Sequence, residues 1–538
     1  MPTSSIDGIE LSLFQSRVQA VCDEMGVVLR RAAFSPNIKD RLDYSCAVFD
    51  PNGGLFGQAA HIPVHLGSMA YAMADIVKRF DWQPDDLVLL NDPYLGGTHL
   101  PDVTAINPVF HVEQPGVGRT ARLVGFVACR AHHADIGADQ PGSMPVSTSL
   151  ADEGVVISPL LARRAGVLTG AARQLFDRLS PVPHDQPDSY VADARLGDFF
   201  AQFSANHIGC RRLGELCDQL GQDAFDARID ALNAYAERLA RTALAGIPAG
   251  RYEFSDVMDG DGFDHQDVVI SASIVVGENA VEVDFSATDS QVPGNINCPL
   301  PVTAAAVFYV FRCLMPEHTP ACAGAFAPIR ITTRPGSLVD ARPGAAVAAG
   351  NVETSMRIVD VLLGALFEAL PELVPAASQG TMNNVAMGSR AGDTRWDYYE
   401  TLAGGSGAHA GGSGVDAVHT HMTNTLNTPV ESLETHYPLR IVRYAIRSGS
   451  GGSGVHRGGA GLIREFEFLE PTDVTLLTER RRRGPWGLAG GAPGAPGRNL
   501  LDGRELKGKT HFRAAVGSRL CIETPGAGGY GPVYGSEP

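Results

Sequence analysis

Phe14, Val18, Val21, Met25 and Val28 recur in steps of four and three. That spacing lines one side of a helix and predicts an amphipathic helix over residues 9–33, ended by Pro36. The period then changes. Residues 41–50 alternate apolar and polar positions like a half-buried strand, and Pro51-Asn-Gly-Gly54 turns the chain back. A short helix is predicted over 68–80, a buried strand over 87–90 and a second over the apolar run 123–129. Residues 139–160 carry no period and read as loop. Residues 195–244 return to helical spacing (Phe199, Phe203, Leu213, Leu216, Leu220, then Phe225, Ile229, Leu232, Leu239), as two helices broken near Gly221. Ile247-Pro-Ala-Gly250 is the best candidate for a domain boundary.

Beyond it the texture changes. Residues 267–276 and 280–285 predict a hairpin, and residues 301–315 and 355–370 two apolar helices, with Thr354 or Ser355 as cap of the second. Glycine is dense from 404 to 461. Because histidine, asparagine and glutamate interrupt the run and strands follow closely, loops that approach a ligand or partner are expected rather than a linker. The last 70 residues suggest small strands and hairpins. The pattern as a whole predicts an α+β, multi-domain protein with mixed sheets, packed helices and many glycine loops. Residues 1–247 are expected to form an N-terminal α+β domain, and residues 248–538 a β-rich domain whose glycine-rich loops face substrate or partner.

Composition removes some function classes. A hydrophobic fraction of 44% and a charged fraction of 19% are those of a soluble globular protein. A net charge of −17 argues against nucleic acid or an anionic membrane as partner. No apolar run approaches the roughly 18–20 residues a membrane span needs, and no leader-like segment is evident, so a cytoplasmic protein is expected. The 9 cysteines are scattered and never paired as C-x-x-C, which suggests buried free thiols.

Chemistry concentrates in two loops. Asn91-Asp-Pro-Tyr-Leu-Gly-Gly-Thr-His-Leu-Pro-Asp102 places Asp92, His99 and Asp102 on a tight turn; Arg130-Ala-His-His-Ala-Asp135 follows the second buried strand. Together Asp92, His99, Asp102, His132, His133 and Asp135 suggest a site for one divalent cation, since such an ion needs nitrogen and oxygen donors from more than one loop. Adjacent residues of a strand face opposite ways, so one of His132 and His133 is expected to be the ligand. His61 and His65 flank a proline and read equally as support for the site or as loop structure. Gly350-Asn-Val-Glu-Thr-Ser355 offers Asn351 and Glu353 to a ligand.

Other motifs match an expression but fail its context. Gly503–Thr510 fits the phosphate-loop pattern without the apolar strand before it and the helix after it, and reads as a hairpin. The dinucleotide-like Gly449–Gly454 is followed by His-Arg-Gly-Gly-Ala-Gly, which cannot be a helix. The basic run 480–483 reads as a solvated or interface-facing turn. The chain thus offers a metal site and no credible ATP site.

Several longer blocks resemble the hydantoinase B/oxoprolinase family. They are Asn37-Ile-Lys-Asp-Arg-Leu-Asp43, His61-Ile-Pro-Val-His-Leu-Gly-Ser-Met69, the 91–102 loop, Ala131-His-His-Ala-Asp-Ile-Gly137, Gly350–Ser355, His419-Thr-His-Met-Thr-Asn-Thr-Leu-Asn-Thr-Pro429 and Thr524-Pro-Gly-Ala-Gly-Gly-Tyr-Gly531. Asp40 stands where the family pattern suggests glutamate. The resemblance implies the metal-bearing B-type component of an ATP-dependent cyclic amidase of the 5-oxoprolinase or N-methylhydantoinase type. A hydantoinase A-type ATPase partner would bind ATP-Mg and phosphorylate the substrate carbonyl, in an A2B2 heterotetramer. It implies Asp43, His99, Asp102 and one of His132/His133 as ligands to a divalent metal (Mn, Zn or Fe). With His132 as ligand, His133, Asp92 and Asp135 are the candidate proton acceptors, and Asn351, Glu353, His421 and Asn424 the candidate substrate contacts. A ketone carboxylase component and a structural component without chemistry are the alternatives.

Overall fold

The computed structural model describes residues 6–59, 62–112, 121–180, 182, 187–278, 280–390 and 395–533. The chain folds into two compact units, each assembled from separate stretches. The first comprises Met1–His133, Val155–Gly246 and Phe311–Arg330; the second comprises Ala134–Gly154, Ile247–Val310 and Ile331–Pro538. The architecture is α+β, as the sequence pattern predicts.

The first unit opens on α1 (Gly8–Ala32), whose buried face is Phe14, Val18, Val21, Met25 and Leu29. Leu29 takes the last core place and Val28 is half-buried, a shift of one residue from the expected stripe. Ser35 caps the short α2 (Pro36–Lys39), accepting the Asn37 amide at 3.1 Å. The strands are β1 (Tyr44–Phe49), β2 (Leu55–Gln58), β3 (Leu87–Leu90), β4 (Asp102–Val112), β5 (Ala121–His132), β6 (Leu160–Arg164) and β7 (Val167–Leu168). They form one sheet in the order β2-β1-β5-β4-β3-β6-β7, with antiparallel neighbours.

The helix expected from residue 68 begins earlier, as α3 (Pro63–Ile76). Pro63 stands at its first turn, where the missing N–H costs nothing. His65 therefore lies on a helix rather than in a loop, while His61 falls outside the described residues. After α4 (Gly170–Leu179) and α5 (Pro187–Ala192) come α6 (Gly197–Leu220) and α7 (Gln222–Leu244), with Gly221 between the last two as expected. Helix α6 lies across the centre of the sheet: Gln202 donates to the Val103 carbonyl at 2.9 Å and Asn206 to that of Ala105 at 2.9 Å. Met25 of α1 fits over Gly209 of α6, where a Cβ would come within 2.4 Å of the sulfur.

In the second unit, β8 (Gly250–Gly260), β9 (Gln266–Val276) and β10 (Val281–Asp284) form an antiparallel meander. The apolar helix Ser355–Leu366 packs on it. Two further sheets enclose a core that includes Val385, Met387, Phe466, Phe468, Leu476 and Ile522. Neither Thr354 nor Ser355 caps that helix. The Gly350–Thr354 segment is a π-helical turn running directly into it; Thr354 donates to the Ile296 carbonyl and Ser355 to that of Asn351.

The glycine-dense run is likewise used differently from the expectation. Its glycines meet backbone of the same unit: a Cβ on Gly407 would lie 1.8 Å from the Ala376 carbonyl oxygen, and one on Gly458 2.0 Å from that of Ala527. Layers of main chain approach closer than any side chain permits, and amide bonds link them, such as Ala527 to Gly459 at 2.9 Å. The hairpin expected at 503–510 is shifted: residues 498–505 form one, pairing Leu500 with Glu505, while Lys509 and Thr510 begin a strand that pairs with Leu477 and Leu476 of another sheet. The basic run divides. Arg482 and Arg483 are exposed and paired with Asp267, whereas Arg480 is buried between Asp256 and Asp360, at 2.8 and 3.0 Å. No described helix is long and apolar enough to cross a membrane.

Candidate metal centre

The 91–102 loop is held from within. Asn91, fully buried, donates to the carbonyls of Leu100 and Val155 at 2.8 and 3.0 Å and accepts the Ile157 amide at 2.6 Å. Asp92 caps the turn that follows, accepting the Tyr94 amide at 3.0 Å and the Ser158 hydroxyl at 3.2 Å. Gly96 takes a φ of 108°, open to glycine, and Gly97 passes so near Asn91 that a Cβ would lie 2.2 Å from its carbonyl oxygen. Arg130, buried under the loop, donates to the Gly96 carbonyl at 2.7 Å, to Thr104 at 2.8 Å and to Ser68 at 2.6 Å.

This scaffold brings His99, Asp102 and His132 together, each offering a ligand atom within 4.8 Å of the others, and all three are buried. Asp102 is the first residue of β4 and His132 the last of β5, directly opposite in register. His99 Nε2 and His132 Nδ1 each lie 3.1 Å from Asp102 Oδ1. The other carboxylate oxygen, Oδ2, accepts the Thr98 hydroxyl at 2.5 Å and faces His65 Nε2 at 3.3 Å. His65 is oriented in turn by Ser45, whose Oγ lies 3.1 Å from Nδ1. Thr98 and Ser45 carry no distinguishing signal in the sequence; His65 carries one, its place in a histidine-proline block.

Burial works against a charged Asp102, but His99 and His65 and the hydrogen bonds from His132 and His65 together outweigh it and hold the carboxyl well below its ordinary range. Burial lowers the His132 pKa, opposed by its bond to Asp102 and by the nearby charges of Asp43 and Asp102. Asp43 stands just before β1, where its carbonyl accepts the His132 amide at 3.1 Å. Its carboxylate lies 3.7 Å from Arg41 and outside the three-residue group, though its charge reaches His132.

His133 turns to the opposite side of the sheet. Its Nε2 lies 2.9 Å from Gln202 Oε1 and its ring is 4.3 Å from that of Phe199. Burial there lowers its pKa. Asp135 belongs to the second unit, where it is bound by Arg395 at 2.5 Å and accepts the Gly137 amide at 2.8 Å.

The other expected contacts also lie in the second unit. Glu353, on the π-helical turn, is fully buried; its Oε1 accepts the Met382 amide at 3.0 Å and the Asn384 side chain at 2.6 Å. Burial, the largest influence, pushes its pKa up to about 8. Asn351 is buried on the same turn. His421, at a φ of 54°, places Nδ1 3.4 Å from the Tyr309 hydroxyl and Nε2 3.6 Å from Asp360. Asn424 is exposed.

Comparison with known proteins agrees with the resemblance. The hydantoinase B/oxoprolinase family model matches residues 7–533. The chain is 38% identical to 5-oxoprolinase 1 of Arabidopsis thaliana over 98% of its own length, but spans only 42% of that protein. It is 30% identical to the B component assigned to a D-/L-hydantoinase of a Pseudomonas species, over 99% of this chain and 91% of that one. Among solved structures, the ATP-dependent caprolactamase from Pseudomonas jessenii superposes with a TM-score of 0.87 at 26% identity, covering 98% of this chain and 92% of that one. An acetone carboxylase shares the fold, with a TM-score of 0.82 at 17% identity, over 98% of this chain and 76% of that one. Sequence and fold thus agree that the chain belongs to the hydantoinase B/oxoprolinase family.

Proposed function

We propose that this chain is the metal-bearing component of an ATP-dependent cyclic amidase, acting on a lactam or hydantoin whose carbonyl is phosphorylated by an A-type ATPase partner. The reading rests above all on the buried His99–Asp102–His132 group. Two imidazoles and one carboxylate, brought from a loop and two strand ends, form a nitrogen–oxygen donor set suited to Zn, Mn or Fe. A divalent ion held there would supply Lewis-acid polarisation of an oxygen and a water acidic enough to attack near neutral pH.

The chain's own residues then have definite tasks. Thr98 and His65 engage Asp102 Oδ2, leaving Oδ1 toward the two histidines. Asp43, whose charge already acts on His132, is the candidate fourth donor. Asp92, His133 and Asp135 are candidate proton acceptors. Each has a hydrogen-bond partner that it would have to share with that task. Asn351, Glu353, His421 and Asn424 are proposed to meet substrate. Glu353, held largely protonated near neutral pH, can donate to a carbonyl oxygen.

Co-expression with the A-type partner and assay of ATP-dependent hydrolysis of 5-oxoproline, hydantoin and caprolactam tests the proposal. Hydrolysis that requires both chains and is lost in His132→Ala is expected. ATP-dependent incorporation of labelled bicarbonate into a ketone would favour the carboxylase reading. Full turnover by His132→Ala would remove the metal from the chemistry.

A further inference from the structure

Away from the metal cluster, the first unit holds a cavity of about 450 Å3 between the sheet and α6. Leu87 of β3, Val109 and Phe110 of β4, and Phe203 of α6 form its apolar wall; Arg163 of β6 and Arg211 of α6 line it as cations, with Asp85 also among the lining residues. Asn107 also borders the cavity and lies five residues along β4 from Asp102, or roughly 17 Å at about 3.3 Å per residue. The two sites are therefore separate.

Arg163 is the unusual residue. Its neighbour Arg164 is paired, its Nη1 donating to Asp86 at 2.9 Å and to the Asp81 carbonyl at 2.9 Å. Arg163 has no such use. Its Nε is closed off from solvent and meets no acceptor, and among the described residues no carboxylate lies within ion-pair distance of its guanidinium. The Phe203 ring lies under it, 4.7 Å from the guanidinium carbon. Burial alone acts on its pKa, lowering it. The strand pairing is also irregular here: Leu87 pairs with Arg163 but Val88 with Leu161. One extra residue on β6 makes a bulge, a device that re-aims a side chain at the cost of regular pairing. A partly buried guanidinium stacked on a ring, with no carboxylate partner among the described residues, is costly unless an anion reaches its remaining nitrogens.

We propose that this cavity binds a small carboxylate with an apolar body. The carboxylate pairs with Arg163, with Arg211 nearby, and the hydrocarbon lies on Leu87, Val109 and Phe203. A single negative charge fits two arginines with one of them already 3.8 Å from Glu215 and an aspartate in the lining. The shape of a guanidinium favours two-point pairing with a carboxylate, and the apolar wall selects against a fully hydrated anion.

Isothermal titration of the full chain with hexanoate, hexylamine and inorganic phosphate tests this. Hexanoate is expected to bind saturably at one site, with the amine and phosphate weaker. Arg163→Met, which keeps the bulk, is expected to weaken hexanoate by about tenfold or more, with Arg163→Lys intermediate. His99→Ala is expected to leave the affinity unchanged, which separates this cavity from the metal cluster. Equal binding of hexylamine, phosphate binding as tight as hexanoate, loss of binding in His99→Ala, or no saturable hexanoate binding to the unaltered chain would overturn the proposal. The ligand comparison on the unaltered chain stands even if an Arg163 variant misfolds.

Discussion

Asp102 and His132 face each other across the antiparallel pair β4/β5, with His132 Nδ1 3.1 Å from Asp102 Oδ1. The two residues are thirty apart in sequence, yet the register of two strands is enough to set their separation. The same register sends His133 to the other side of the sheet, against Gln202 and Phe199. On the metal reading, Asp102→Asn and His132→Ala are each expected to abolish stoichiometric metal, measured by mass spectrometry on purified protein. Chelation of the unaltered protein is expected to lower its Tm, because an ion bound only by the folded state stabilises that state. Full metal content in both variants would refute the assignment.

His65 touches the site through Asp102, so it is a positioning residue. Groups that orient a metal ligand typically contribute about 10–100-fold in metal affinity. His65→Ala is expected to weaken metal binding within that range while leaving some metal bound. His65→Gln should recover part of the loss by offering its amide to Asp102 Oδ2. Competition with a chromophoric chelator reads both values.

Gly97→Ala tests the loop itself. The added Cβ would sit 2.2 Å from the Asn91 carbonyl oxygen, with backbone on both sides of the clash. The expected cost is roughly 1–3 kcal/mol in chemical denaturation, with metal loss alongside. Gly170→Ala, where a Cβ meets nothing within 4 Å, is the control and should fall within about 0.5 kcal/mol of the unaltered protein.

Glu353 is expected to make stability depend on pH. Its folded-state pKa, near 8, lies above the ordinary value of 4.5 because burial disfavours the charge. Between these values the folded protein binds more protons than the unfolded chain. Stability is therefore fully present below 4.5 and falls as pH rises through about 8. Glu353→Gln, which cannot ionise, should flatten that decline. Its stability relative to the unaltered protein should rise by a few kcal/mol, at roughly 1.4 kcal/mol per pH unit across the window. Thermal melts at both ends of the window read the difference, and an unchanged pH profile would show that Glu353 is charged in the folded state.

Arg480 and Arg482 are two residues apart but should behave very differently. Arg480 is 2% exposed and joins Asp256 to Asp360; Arg482 is exposed and pairs with Asp267. Removing one partner of a buried ion network leaves uncompensated charge, so Arg480→Met is expected to cost roughly 3–5 kcal/mol. Arg482→Ala should cost less than about 1 kcal/mol. Equal effects in urea denaturation would contradict the burial of Arg480.

Much of the molecule is legible in its sequence where one element decides the outcome. The periodicity at Phe14–Met25 locates α1, and Gly221 separates two helices whose apolar stripes are each complete. His65 is harder to place, because a proline two residues before it marks a break in one context and a helix start in another. The glycines of residues 404–461 suggest a facing ligand, since composition says only that something approaches closely. The neighbour is the unit's own main chain, at Ala376 and Ala527. Adjacency groups Arg480 with three other arginines, although burial separates it from Arg482 and Arg483.

The order of residues is enough for most helices and strands, for the family, and for the short roster of histidines and aspartates from which a metal group could be drawn. These follow from local spacing and residue chemistry, which need no knowledge of distant partners. Which members of that roster meet is settled in three dimensions alone: His132 rather than His133, His65 behind Asp102, and Asp43 beside the group rather than within it. Strand register and helix docking set those relations, and they arise from long-range packing between segments whose separation along the chain carries no information about their separation in space.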